Sequence, residues 1–234
     1  MRPATYRTLV AAAAILAFVV VVVGAFVRLS DAGLGCPDWP GCYGKPAPVL
    51  AKVAIARAVA RQGGQGPVSL GKAWKEMGHR YLAGTLGLLI LAIAVLAWTG
   101  RRALGQSPWL ATALVLVVAL QAALGMWTVT LLLKPVIVTS HLLGGMTTFA
   151  LLVWLALRQW RFDPAPEARR LRAPAAFALL IVSIQIMLGG WVSANYAAFS
   201  PSAESHSGPF TRIHRRRLPP AKSAKQKLCL RPAT

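Results

Sequence analysis

The chain has 234 residues, 56% of them hydrophobic, and carries 26 Lys and Arg against 6 Asp and Glu, a formal net charge of +20. Five uncharged stretches approach or exceed the ~20 residues that cross a bilayer, which excludes a soluble globular domain of this length. The charge does not point to nucleic acid either, because most basic residues stand in loops beside apolar runs rather than on one polar face.

The apolar runs are Leu9 to Val27, Tyr81 to Thr99, Ser107 to Leu133, Pro135 to Leu157 and Ala173 to about Phe199. In lipid each is predicted to be helical, since a helix meets its backbone hydrogen bonds within the segment. The fold class is therefore an all-α integral membrane protein with five predicted transmembrane helices. Arg2 and Arg7 precede the first run as in a signal peptide, but the run exceeds the usual ~7–15-residue apolar core and reads as a retained anchor.

A cytoplasmic N-terminus puts Arg2, Arg7, Arg101, Arg102, Arg158, Arg161, Arg169, Arg170 and Arg172 inside, as membrane proteins prefer. The loop 29–75 then lies on the outer side, and its Lys45, Lys52, Arg57, Arg61, Lys72 and Lys75 run against that trend. The expected location is a bacterial inner membrane.

The first helix ends in GAFVRLSDAGLGCPDWPGCYG, Gly24 to Gly44, where Gly and Pro forbid further helix. Cys36 and Cys42 close a short loop with two prolines between them. A disulfide would pin this turn and would persist on the oxidising side of a membrane, in agreement with the charge-based orientation. Two unpaired cysteines or a metal pair are the alternatives, although no nearby His or Cys completes a zinc set. Arg28 and Asp31 read as interfacial residues or as anchors for a ligand. Val49 to Ala60 has loose helical periodicity, suggesting a short surface helix, and Gln62 to Pro67 reads as a flexible link.

EMGHRYLAG, Glu76 to Gly84, opens the second span with an acid, a histidine and an arginine at the edge of an apolar run, where ionisable groups are costly and usually functional. Glu76 and His79, at i and i+3, share a helix face. Gly84 and Gly87 allow a bulky group to approach the backbone. His141, in SHLLGG, opens the fourth span in the same manner. The second and fourth helices run in one direction, so His79 and His141 are expected at similar depth.

An internal repeat supports the pairing. Gly24-Ala25-Phe26-Val27, Gly125-Met126-Trp127-Thr128 and Gly189-Gly190-Trp191-Val192 recur near helix ends, and Gln121-x-x-Leu124-Gly125 matches Gln185-x-x-Leu188-Gly189. After the first two, the chain turns and presents a histidine followed by small residues. Repeats in membrane proteins often place a binding site between units. A lone buried histidine is more often a helix-to-helix hydrogen bond; two at equivalent repeat positions point to a shared ligand.

The third unit does not continue this way. The segment after Ser200 has no apolar span and is rich in Arg, Lys, Pro and Ser, a composition that predicts disorder, and a break of reading frame near Ser200 is the expected cause. His206, His214 and Cys229 receive no role. The expected division is 1–160 as a four-helix half, 161–200 as a linker and fifth helix, and 201–234 as a basic tail.

Two neutral imidazoles on opposite faces of an iron are the ligand set of a low-spin haem, and small residues around them make room for a macrocycle. His79 and His141 are the expected ligands, and Arg80 and Arg28 the expected partners of its propionates. Glu76 is the acid placed to move protons, or else an ion-pair partner of Arg80 or Lys75.

The joint pattern of GAFVRLSDAGLGCPDWPGC, EMGHR, TSHLLGG and LGGWVSANYAA, over residues 8–200, resembles the haem A synthase family. That resemblance implies an eight-helix bundle of two four-helix halves and an oxidation of the C8 methyl group of haem O to the formyl group of haem A. It implies His79 and His141 as ligands of the substrate haem, Glu76 as catalytic, and Cys36 with Cys42 as the family's loop cysteines. It also implies a haem b on two histidines of the second half.

This sequence carries helix five and then departs from the pattern, leaving the electron route, and with it turnover by this chain alone, without the family's residues. Expected partners are membrane lipid, haem O, the haem O synthase that supplies it and an electron acceptor the sequence does not identify; a homo-oligomer is admitted and nucleic acid is not. The competing readings are a bis-histidine cytochrome that only transfers electrons, and a haem-binding assembly protein without chemistry.

Overall fold

A computed structural model describes residues 3–62, 66, 68–160 and 168–198. The helices are α1 (Pro3–Leu29), α2 (Lys52–Arg61), α3 (Leu70–Thr99), α4 (Arg101–Leu104), α5 (Trp109–Thr130), α6 (Pro135–Leu157) and α7 (Ala168–Ala198), with a 3-10 turn at Pro48–Ala51 ahead of α2. Five of these, α1, α3, α5, α6 and α7, are long and apolar enough to cross a membrane. The short surface helix anticipated near residues 49–60 is the 3-10 turn followed by α2. Most of the link at 62–67 and the tail after Ala198 lie outside the described residues.

Helix boundaries differ from the apolar runs where capping and loop contacts act. α3 begins at Leu70, well ahead of Tyr81, because the Ser69 side chain accepts the Lys72 N–H at 3.1 Å and caps the helix. One face of its added turns is covered: Ala73, Glu76 and Met77 are buried against the cysteine loop. His79 therefore sits two turns inside α3 rather than at its start.

α5 stops at Thr130, short of the expected Leu133. Leu132 and Leu133 take positive φ of 52° and 57°, the left-handed conformation that turns the chain toward α6. That conformation costs a non-glycine residue roughly 1–2 kcal/mol, offset here by the Leu133 N–H bond to the Thr128 carbonyl at 2.7 Å and by contact of the Leu133 side chain with Gly33.

Four helices form a closed ring in which α1 packs on α3 and α6, and α5 also packs on α3 and α6. α3 and α6 thus occupy one diagonal, α1 and α5 the other. α7 lies outside the ring along α6, where Gly190 meets Leu142 and Thr139. Most other α7 side chains, among them Phe177, Leu179, Ile181 and Leu188, are exposed, as expected of a surface solvated by lipid.

The two ends of the ring are packed differently. Toward the amino end of α1, Tyr6, Val10, Ala13 and Ala17 mesh with Leu86, Ile90, Ile93, Leu114, Leu152 and Leu155 in a dense apolar core. Toward the cysteine loop that core gives out, and a separate cluster of Cys36, Cys42, Ala51, Ile55, Ala58, Val68, Ala73 and Met77 joins the loop to α2 and the start of α3. Both histidines fall in the stretch between.

Candidate functional site

His79 projects from α3 against Gly24 of α1: a Cβ added at Gly24 would stand 2.9 Å from His79 Cε1. His141 projects from α6 against Gly125 of α5, where an added Cβ would stand 3.3 Å from His141 Cε1. The glycine that opens each of the first two signatures is thus the seat of that repeat's own histidine. Each ring also meets a backbone one turn earlier, His79 that of Val20 and His141 that of Gln121. The two halves of the ring are therefore built alike, with α3 and α6 on one diagonal.

Nδ1 of both histidines is buried without a hydrogen-bond partner, and so are Arg28 Nε, Gln121 Nε2 and Thr139 Oγ1. An unpaired buried polar atom costs on the order of 1–3 kcal/mol, so native proteins hold few of them. Arg28 and Thr139 stand against α7, outside the ring, and the other three atoms belong to His79, Gln121 and His141, beyond the dense core. Such a concentration marks a place built to receive something polar or metal-bearing.

Glu76 is only 4% exposed. Its Oε2 accepts the Cys36 backbone N–H at 2.9 Å, and its Oε1 pairs with the Arg80 guanidinium one turn on. Nη1 of Arg80 donates to the carbonyls of Asp38 at 2.7 Å and Gly41 at 2.6 Å. Cys36 and Cys42 form a disulfide around this segment. Asp38 braces it from within, its carboxylate accepting the backbone N–H groups of Tyr43 and Gly44. Tyr43, outside the spans, has its phenol pushed up first by burial and then by Asp38, so it stays neutral and adds no charge.

The chain matches the COX15-CtaA family, described as cytochrome oxidase assembly proteins, over residues 7–212. It belongs to that family. It is 46% identical over 187 residues to a heme A synthase of Shewanella oneidensis, covering 79% of this chain and 56% of the relative. It is 32% identical over 217 residues to a heme A synthase of Methylobacterium radiotolerans, covering 84% and 58%. It is also 31% identical over 178 residues to Protoheme IX farnesyltransferase 1 of Natronomonas pharaonis, covering 74% of this chain and 33% of that one. The chain spans a little over half the length of the heme A synthases it matches. No solved structure matches.

A haem group, which membership of the COX15-CtaA family implies, fits the residues present. Two imidazoles stand on helices at opposite corners of the ring, and a glycine of a neighbouring helix seats each of them. A second pair of histidine ligands is not among the described residues, where His79 and His141 are the only histidines.

Both arginines have partners within the protein. Arg80 is engaged with the cysteine loop and Glu76. Arg28 donates through Nη2 to the Ser193 carbonyl at 2.8 Å, tying α1 to α7, while its Nε stays unpaired. Gly84 has open space before it and Gly87 packs on Val118, whereas Gly144 is covered by the Gln121 side chain. Gln121, which now stands beside His141, carries little site signal in the sequence. Its only signal there was the Gln-x-x-Leu-Gly repeat, read as a marker of homology rather than of chemistry.

Proposed function

We propose that this chain carries the substrate half of a haem A synthase, binding haem O between His79 and His141 for oxidation of its C8 methyl group to a formyl group. The observation that carries this reading is the pair of imidazoles on diagonal helices, each seated on the repeat glycine of its partner helix, with both Nδ1 atoms buried and unpaired. Two neutral imidazoles would hold the iron of a bound haem low-spin.

Glu76, one turn from His79, is the acid placed to accept protons released as the methyl carbon is oxidised. The Cys36 N–H and Arg80 hold its carboxylate toward the loop side of that histidine. The cysteine loop then closes the outer end of the site against water, with the N-terminus in the cytoplasm. The relative named as a farnesyltransferase supports a supply route, since a region like this one shares a chain with a protein of that name, and a farnesylated haem is what haem O is.

The test is pigment extraction and the visible spectrum of the purified chain expressed with a haem O source. Expected is a low-spin haem recovered as haem O, lost in His79→Ala and in His141→Ala. Normal haem content in both variants would refute the site.

A second reading has one observation in its favour. Glu76 is already bound to Arg80 and to the loop backbone, as an acid with a purely structural task would be. On that reading the chain is a bis-histidine cytochrome. Stable haem b with a reversible redox couple, and no preference for haem O, would select it.

A further inference from the structure

The two halves of the ring match at their glycines and histidines but not one turn earlier. Beside His79 the α1 position is Val20; beside His141 the α5 position is Gln121. A valine asks nothing of a ligand. The carboxamide of Gln121 is different, because its Nε2 is buried and has no acceptor.

The side chain lies across α6 at the two glycines that follow His141. A Cβ on Gly144 would come within 1.7 Å of Gln121 Nε2, and one on Gly145 within 3.9 Å of its Oε1. The amide is therefore held in the small-residue space next to an iron-ligand candidate. An amide donor kept there without a partner is unfavourable unless an acceptor arrives with the ligand.

We propose that the Gln121 carboxamide donates a hydrogen bond to an oxygen substituent on the rim of the bound haem, and so makes the site selective among haems that differ in their oxygen groups. This rests on the reading of His79 and His141 as haem ligands. Two oxygens have the required chemistry. One is the hydroxyl on the isoprenoid-bearing side chain, present in haem O and haem A and absent from haem b. The other is the oxygen added at the methyl carbon, present only in haem A. The propionates are common to all three haems and would give no selectivity.

Selectivity of this kind follows from the asymmetry of making and not making a buried hydrogen bond. A site built to donate to an oxygen loses affinity for the analogue that lacks it, because its own polar group is then left unpaired. The equivalent position on α1, Val20, has no polar side chain, so selectivity of this kind would come from the α5 and α6 side.

The experiment is a spectroscopic titration of the purified chain with haem b, haem O and haem A, comparing wild type with Gln121→Leu and Gln121→Asn. The low-spin spectrum reports whether both imidazoles remain in place. For the side-chain hydroxyl, Gln121→Leu should weaken haem O and haem A about tenfold and leave haem b unchanged. For the added oxygen, haem A alone should weaken. Gln121→Asn, which keeps an amide but withdraws it, should fall between wild type and Gln121→Leu.

Equal affinity changes for all three haems, or no change, with the low-spin spectrum retained, would overturn the proposal while leaving the histidine site standing. Wild type binding none of the three haems would instead remove the underlying site and the proposal with it.

Discussion

The backbone N–H of Cys36 donates to Oε2 of Glu76 at 2.9 Å across 40 residues of sequence. A loop that begins at the end of α1 is thereby fastened to the one buried acid among the described residues, and the same acid holds Arg80, which returns to the loop through the Asp38 and Gly41 carbonyls. The buried acid and the cysteine loop are one hydrogen-bonded unit.

Substitutions of Glu76 should separate its two tasks. Glu76→Gln keeps an acceptor for the Cys36 N–H and should retain the fold and bound haem while losing methyl oxidation in a full-length synthase carrying the same change. Glu76→Ala leaves the Arg80 charge without its partner and should also lower thermal stability by about 3 kcal/mol. Parallel melting curves and haem extracts of the two variants check this; wild-type turnover by Glu76→Gln would remove Glu76 from the chemistry.

Arg80 should behave as a latch. Arg80→Lys keeps the ion pair with Glu76 but cannot reach the Asp38 and Gly41 carbonyls with a planar fork. Limited proteolysis should then cut within residues 36–44 faster than in wild type, with little change in haem content. A large loss of haem in Arg80→Lys would point to a direct contact with propionate instead.

The glycine seats make a graded prediction. Alanine at Gly24 would place Cβ 2.9 Å from the His79 ring, whereas at Gly125 the approach is 3.3 Å to the His141 ring. Gly24→Ala must move the imidazole and should weaken haem binding by about tenfold, in the range seen when groups orienting a metal ligand are disturbed. Gly125→Ala requires only a small shift and should cost less. The Soret titration of each variant gives the order directly.

Removing the disulfide should loosen the lid and spare the ligands. Closing so short a loop is worth about 2 kcal/mol by chain entropy, so Cys36→Ser should lower the melting temperature and expose Cys42 to thiol reagents. Haem content should stay near wild type, because the cysteines pack with α2 and the start of α3. A Cys42 that is equally reactive in wild type would show that the pair is not bonded in the membrane.

The five spans, the disulfide loop and the repeat were all written in the order of residues. The reason is that lipid leaves the chain few options: a run of apolar residues must be helical, a charged or imidazole side chain inside it must have a task, and Gly with Pro must end it. Even the diagonal pairing of α3 and α6 was half legible, since two helices that point the same way put matching positions at matching depth.

Tertiary structure alone decided what each polar group touches. Arg80, expected at a propionate, faces loop carbonyls because α3 extends past the apolar run and carries it into the cysteine loop. Gly24 and Gly125, which looked like repeat markers, are ring seats, and Gln121 became visible as an unpaired donor only when α6 was laid beside α5. Hydrophobic pattern fixes which faces avoid water over a whole helix. The partner of a single hydrogen bond depends on angstrom-scale distances between segments far apart in sequence, and one chain's pattern does not encode those distances locally.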